Sequence, residues 1–521
     1  MTSINDTYIN ALLADATYAL SGDTPNELGG SDLKIMLKDD MPLPLAEYIG
    51  SNFTVVTHKD TSDIIGSGFD ATVWRDEAGK TYVSMTGSTP GADFATDLDL
   101  TITGVAGAQI VDMVNRWLKN TTVVGDIAKQ IARVEIPVPG PKYTISFVEA
   151  PSTTGTGVLS TVTNVTVNGH SLGGHLTTVF SRLFGMQWPV DHSYTYNGAG
   201  FTVTSGLLLD QISAILGNGV GTEQFPTESQ QSNIYAENGI NVTTQNWFDG
   251  QHGQRIPLFN EEDTGIANHS MSKLTDALAL GNLIASIDSA FDIAQMRALF
   301  DACSNQAEAS LEKILDGLIE IFTGSVSNVP ISDSEALRAN YHEELSALQA
   351  GLFVNNQALA LQLKPQYQNL KIVSVDSLVN HATANTPEGL AYRYALLELN
   401  PFAVVGLDQS ASDALYKTAY NPNGELDWCH SATGQGTFSS AYLKDRAEML
   451  QDNFNDSECS DAIAWSDRYY LDNSTGFGVG AHNAGKRIVF SDGRSESLAG
   501  SAGLDLMTGS GNEKVSVMFT G

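Results

Sequence analysis

The segment Gly169-His170-Ser171-Leu172-Gly173-Gly174 carries the strongest chemical signal in the chain. It contains Gly-x-Ser-x-Gly, whose central serine is a candidate nucleophile. A bare match to that pattern means little, and its surroundings give it weight. The apolar, β-branched run 162–167 reads as a strand before it, and Leu172 to Phe184 reads as a helix after it. A strand that becomes a helix within about three residues holds its central residue in a strained backbone and exposes the side chain. Gly169 and Gly173 remove side chains that would collide across the bend. Ser171 then stands at a helix N-terminus, where positive partial charge favours an oxyanion, and the Leu172 amide points to the same place. The chemistry predicted is acyl transfer through a serine ester.

Such chemistry needs a second amide donor, a base and an acid. The strand Lys80 to Thr86 ends in the loop Gly87-Ser88, which is placed to supply the second oxyanion donor. The order in this architecture is serine, then acid, then histidine. Of the ten histidines, His269 fits the base best, because it follows the strand candidate 256–259 and a loop and precedes a helix. His252 lies before that strand and reads as a turn residue, while His170 and His175 flank the elbow and cannot readily swing back to Ser171. His175 reads as a helix-packing residue. Glu237, at the end of the strand candidate 233–236, is the first choice of acid, with Asp249 and Asp263 as competitors.

Stepping along the chain, a helix over Asn5 to Leu20 comes first, then a Gly/Pro-rich link to about residue 50. Strands are expected at 53–57, 71–75, 80–86 and 193–196, with a helix over 105–133. Strands alternating with helices predict an α/β fold with a mainly parallel sheet covered on both faces. Residues 270–362 carry apolar stripes at helical spacing, over 277–291, 311–322 and 334–352. The expected organisation is a catalytic domain over 1–285, a helical region over 286–362 and a β-containing C-terminal domain over 363–521.

Taken together, Thr86-Gly87-Ser88, then Asp93-Phe94 with Asp97, then Gly169-His170-Ser171-Leu172-Gly173-Gly174 resemble the motifs of bacterial class 3 lipases of the α/β-hydrolase fold. The resemblance covers roughly residues 50–285. It implies lipid ester hydrolysis, triacylglycerol first and phospholipase A1 second, at a lipid–water interface, with Ser88 lending its amide to the oxyanion hole. The family has Arg where this chain has Thr86, Trp where it has Phe94, and normally Asp as the acid. A secreted binding or toxin-like protein with an inactive hydrolase domain is the rival from another class. Two segments could form a lid, Phe201 to Val220 and Ile102 to Leu118, with ordinary helix packing as the alternative for each.

The 521 residues hold 27 Lys+Arg against 60 Asp+Glu, a net charge of −33. That balance disfavours nucleic acid, whose phosphates need cationic contacts. Cys303, Cys429 and Cys459 show no CxxC spacing, so three free thiols or a single Cys429–Cys459 bond are expected rather than a zinc site. No apolar stretch demands a membrane span, and the N-terminus lacks a signal-peptide pattern. No cofactor is needed for the chemistry. Near the C-terminus, 500–515 resembles the calcium-binding nonapeptide repeat in two degenerate copies, with a Gly-rich hairpin as the alternative. With the acidity and few cysteines, this resembles type I-secreted bacterial lipases and makes structural calcium an expectation.

Overall fold

The structure, a computed structural model, describes residues 3–22, 24–60, 67–87, 106–137, 143–201, 205–217, 224–237, 250–258, 267–303, 310–325, 327–330, 334–354, 369–374, 381–400, 402–417, 426, 442–450, 468–472, 478–480, 486–490, 497–499, 504–508 and 516–518. The chain divides into two compact units, Met1–Ala279 and Leu280–Gly521.

The first unit is built on an eight-stranded sheet in the order β1-β2-β3-β4-β7-β8-β9-β10. Its strands are β1 (Leu28–Gly29), β2 (Phe53–Asp60), β3 (Asp70–Asp76), β4 (Thr81–Met85), β7 (Val165–His170), β8 (Val190–Tyr196), β9 (Gln231–Ala236) and β10 (Gln254–Leu258). From β1 to β4 the pairs are antiparallel, and from β4 to β10 they are parallel. The antiparallel β3–β4 pair follows from its short Asp76-to-Gly79 turn, whereas each parallel neighbour requires a crossover.

The helices are α1 (Ile4–Tyr18), α2 (Gly30–Leu37), α3 (Leu43–Asn52), α4 (Gly107–Thr121), α5 (Leu172–Phe184), α6 (Ser205–Leu216) and α7 (Met271–Ile287). The sequence reading of a Gly/Pro-rich link before residue 50 is therefore corrected. Pro42 and Gly29 lie just outside α3 and α2 as N-caps rather than breaking them.

Period-two alternation assigns the two faces of the sheet. Val165 and Val167 of β7, with Val83 and Met85 of β4, join a core with Met113, Trp117, Phe180 and Phe184 from α4 and α5. Trp117 meets Phe180 edge-on at 4.8 Å. Each such side chain stabilises the fold by ~1.5–3 kcal/mol on burial. The intervening residues of β7 face α1: Asn168 Nδ2 donates to Asn10 Oδ1 at 3.0 Å. Tyr196 of β8 donates to the Thr7 carbonyl of the same helix at 2.6 Å. This is the α/β-hydrolase arrangement: a largely parallel sheet with a sharp strand-to-helix turn between β7 and α5.

The expected helix over 105–133 is corrected to α4 followed by a strand. Strand β5 (Ile127–Pro137) pairs antiparallel with β6 (Tyr143–Thr154) as a separate hairpin. Apolar residues at 127, 131 and 134 fit helical spacing, but Gly125 at φ 90° breaks the chain, and β6 supplies the partner. The apolar stripe of α4 (Ile110, Met113, Val114, Trp117) and Leu209 and Ile212 of α6 are buried core, whereas Leu207 of α6 is exposed.

In the second unit, α8 (Ile293–Cys303), α9 (Ser310–Thr323) and α10 (Glu335–Phe353) fill the region read as helical. Strands β11 (Lys371–Ser374) and β12 (Phe402–Val405) pair antiparallel. Further on come β13 (Arg468–Asp472), β14 (Gly478–Gly480), β15 (Lys486–Phe490), β16 (Ser497–Ala499), β17 (Leu504–Thr508) and β18 (Ser516–Met518). Arg468, Lys486 and Leu504 stand side by side in a parallel sheet, a return after 18 residues each time (486 − 468 and 504 − 486). Strand β16 pairs parallel with β18. A hairpin would pair antiparallel, so the parallel pairing of 504–508 is not that of a hairpin arm, and 500–503 and 509–515 lie outside the described residues. The step equals two nine-residue repeats. Cys429 and Cys459 lie outside the described residues. Among the described residues, no helix is long and apolar enough to cross a membrane.

Candidate active site

Ser171 sits between β7 and α5 with φ 55° and ψ −122°. An L-residue rarely adopts that backbone, at a cost of ~1–3 kcal/mol, and the surroundings must hold it there. They do so through main-chain bonds. Ser171 N–H donates to the Tyr196 carbonyl at 2.9 Å, and the Ser171 carbonyl accepts from Gly174 at 3.0 Å and Ala199 at 2.9 Å. A serine preceding a helix commonly caps it. Here the Ser171 side chain makes no capping bond, and its Oγ lies beside Gly87, just past the end of β4.

Glycines permit the bend. A Cβ on Gly169 would strike Gly173, one on Gly173 would strike the Met85 carbonyl, and one on Gly174 would come 2.7 Å from Gly198 Cα. These contacts explain all three glycines of the motif by close backbone approach. Gly87, immediately after β4, lies against the nucleophile: a Cβ there would sit 2.7 Å from Ser171 Cβ and 3.1 Å from its Oγ. The strand end that carries the expected oxyanion loop thus abuts Ser171. Ser88 itself lies outside the described residues. Leu172 is the first residue of α5, where an amide has no intrahelical partner.

His269 ends a single 3-10 turn, Ala267–His269, just before α7. It is 8% exposed, and burial pulls its pKa down to about 4. Its ring centroid is 4.9 Å from that of His170, the residue before the nucleophile. The His269 carbonyl accepts from His170 Nε2 at 2.6 Å and from Asn197 Nδ2 at 3.3 Å. Asn197 Nδ2 also reaches the Asn268 carbonyl at 3.1 Å. The structure therefore brings the His269 turn against the elbow.

Glu237 is half-buried at the end of β9, and its N–H donates to the Leu258 carbonyl of β10 at 2.9 Å. Its neighbour Ala236 donates to Asn197 Oδ1 at 2.9 Å. One asparagine side chain thus joins the His269 turn to the end of β9, next to Glu237. Asp249 and Asp263 lie outside the described residues.

The other histidines behave differently. His175 Nδ1 donates to the Gly200 carbonyl at 3.1 Å, and its ring stacks on Phe201 at 4.2 Å, as expected for a packing residue. Its pKa is lowered to about 4 by burial. His252 stacks flat on Phe225 at 3.8 Å. His170 is pulled down to about 3 by burial, then by the neighbouring His269. All three are neutral near pH 7.

Sequence reasoning missed Asn197, Tyr18 and a polar cluster under β4. Asn197 has φ 45° and precedes a glycine, a signal of a left-handed turn that could have been read. In the cluster, Thr86 N–H donates to the Asp70 carbonyl at 3.1 Å, and its side chain bonds the Asp70 carboxyl. Burial, then the nearby Asp60, pushes Asp70 up to about 8. Arg116 of α4 acts on Asp70 from within electrostatic reach and donates to Thr57 Oγ1 at 2.9 Å. Among the described residues, no group of three or more His, Cys, Asp or Glu could hold a metal ion.

No family model and no curated protein matches the sequence. Solved structures similar to the chain include the Lip2 lipase from Yarrowia lipolytica, at 12% identity over 49% of this chain and 79% of that one, with a TM-score of 0.29. A triacylglycerol lipase from Penicillium expansum is similar at 15% identity over 49% of this chain and 80% of that one, with a TM-score of 0.25.

Proposed function

We propose that the first unit is a serine carboxylic ester hydrolase acting on lipids, with triacylglycerols as the leading substrate. The observation that carries this reading is the strained Ser171, its hydroxyl not capping α5, with the His269 turn hydrogen-bonded to the adjacent residue. A neutral imidazole can accept the serine proton, and burial holds His269 neutral above about pH 4.

Ser171 Oγ attacks the ester carbonyl as His269 takes its proton. The amides of Leu172 and Ser88 receive the oxyanion. His269 then protonates the departing alcohol, and water, activated by the same imidazole, releases the acid and restores the serine. Glu237 is the carboxylate that orients and stabilises the imidazolium. Exposed Ile127, Val134, Ile136 and Val148 on the β5–β6 hairpin suit work at a lipid–water interface. Secretion by a type I-like route and structural calcium in the C-terminal repeats belong to the same proposal. They are supported by the net charge of −33 and the 18-residue return of the parallel strands.

The test is a panel of p-nitrophenyl esters, triglycerides and phospholipids, with and without calcium, on the wild type and Ser171→Ala. Fluorophosphonate labelling should map to Ser171 and vanish in the variant. Ester cleavage by Ser171→Ala at near the wild-type rate overturns the assignment, and a folded wild type that neither labels nor turns over esters favours the inactive rival.

A further inference from the structure

Three hydrogen bonds link the two sides of the site through residues that the reaction itself does not use. Gly87 N–H meets Tyr18 Oη at 2.7 Å. Tyr18 Oη lies 2.8 Å from His170 Nδ1. His170 Nε2 lies 2.6 Å from the His269 carbonyl oxygen. The direction of each bond follows by elimination. A carbonyl only accepts, so His170 Nε2 carries the hydrogen. A neutral imidazole has only one, so Nδ1 accepts and the Tyr18 hydroxyl donates to it. The phenol oxygen is then left to accept from Gly87. Every donor has an acceptor, and the series cannot run the other way.

The fold explains why these groups meet. Asn168 and His170 are two apart on β7 and share the face covered by α1, whereas the helix following Ser171 covers the other face. Tyr18 is the last residue of α1 and half-buried, so it stands where that helix reaches the elbow.

Resting on the serine-hydrolase reading, we propose that Tyr18 and His170 are positioning residues that hold the oxyanion strand end and the base-bearing turn at a fixed separation, with Ser171 between them. The strap spans 152 residues of sequence from Tyr18 to His170 and a further 99 to His269. It also commits the Gly87 amide to Tyr18, so that amide is not an oxyanion donor. Both residues act through the backbone of others and touch no reacting atom.

A strap of this kind raises kcat by holding geometry, and leaves substrate binding alone. Tyr18→Phe should lower kcat on a soluble ester about tenfold with KM within about twofold, the scale of one lost hydrogen bond. Fluorophosphonate labelling should slow in parallel, and hydrogen exchange at the Gly87 amide should speed up. Because the parts act in series, Tyr18→Phe combined with His170→Ala should be no worse than His170→Ala alone. His170→Gln, which keeps a donor for the His269 carbonyl, should recover part of the His170→Ala loss. Wild-type kcat and labelling in Tyr18→Phe, or losses that simply add, overturn the strap. If the wild type neither labels nor hydrolyses esters, the hydrolase reading fails instead. The strap is then judged on exchange alone, where unchanged Gly87 protection in Tyr18→Phe overturns it.

Discussion

The proposed nucleophile, Ser171, and the proposed base, His269, are held in place by different means. Ser171 is fixed by close backbone contacts within a few residues of sequence and by its strand neighbours: glycines at 169, 173 and 174, and main-chain bonds to Tyr196, Gly174 and Ala199. His269 sits on one turn of 3-10 helix, and its carbonyl accepts side-chain bonds from His170 and Asn197. Backbone contact leaves no slack, because a misplaced Cβ collides. Side-chain bonds can lengthen or be replaced by water at modest cost. Changes at the elbow should therefore act abruptly, and changes around the base turn should act in degrees.

The largest effect should come from His269→Ala, which removes the base while leaving the elbow intact. We expect kcat for a soluble ester to fall ~10⁶-fold, the scale of removing the histidine of a serine triad, with Tm shifted by only a few degrees. A loss under tenfold would move the base elsewhere, with His252 the first place to look. Gly87→Ala comes next. Its methyl would press on Ser171 Cβ and Oγ, so kcat should drop ~10³-fold even where the protein folds. Near-normal activity in that variant would show that the elbow yields more than its glycines suggest.

Asn197→Gly sharpens the contrast. Glycine keeps the φ of 45° and deletes only the side chain that ties Ala236 to Asn268 and His269. A loss of ten- to thirtyfold in kcat, on the scale of ~1.5–2 kcal/mol, is the expected graded response. Asn197→Ala should be worse than Asn197→Gly because it adds backbone strain. If the two variants match, the backbone conformation at 197 contributes nothing measurable.

This division also explains how much of the site was legible. Strand, bend and helix around Ser171 read directly, because local glycine spacing encodes local collision. The helices 4–18 and 172–184 read nearly to the residue and the strands of the parallel core to within about three residues, because apolar periodicity marks them. The β5–β6 hairpin did not: its apolar spacing suits either period, and pairing with 143–154 decided it. Tyr18 was invisible in its role, since its partners Gly87 and His170 lie 69 and 152 residues away in sequence. Arg116 was hidden likewise, because its charge serves a strand 46 residues earlier (116 − 70). Asn197 could have been read from its Asn-Gly dipeptide, though its partners at 236 and 268 could not.

The smallest predicted effect is a slope of stability with pH, and it too separates the two regions. Beside the nucleophile and base, His170 and His269 are lowered to about 3 and about 4, both mainly by burial, and His175 to about 4. Their folded values lie below the unfolded value of 6.5, so the unfolded chain binds their protons first as pH falls. Their neutral burial therefore costs nothing above about pH 6.5, and stability is lost progressively from there down to about pH 4. Asp70, under the oxyanion strand, has the opposite sign. Its folded value is raised to about 8 from 3.8, so the unfolded chain loses the proton first, and stability falls as pH rises from about 4 to about 8. Each group contributes a slope of ~1.4 kcal/mol per pH unit within its own window at most. Denaturant midpoints should thus peak near pH 6.5, falling steeply on the acid side and gently on the alkaline side. Asp70→Asn should flatten the alkaline side and steepen the acid side above about pH 4, and a flat wild-type profile between pH 6.5 and 8 would show that Asp70 is ionised in the fold. His269→Ala should soften the acid side by about one group's share. In the wild type, the acid limb of kcat/KM should lie well below pH 6.5, because a base held neutral by burial keeps working as the solution acidifies.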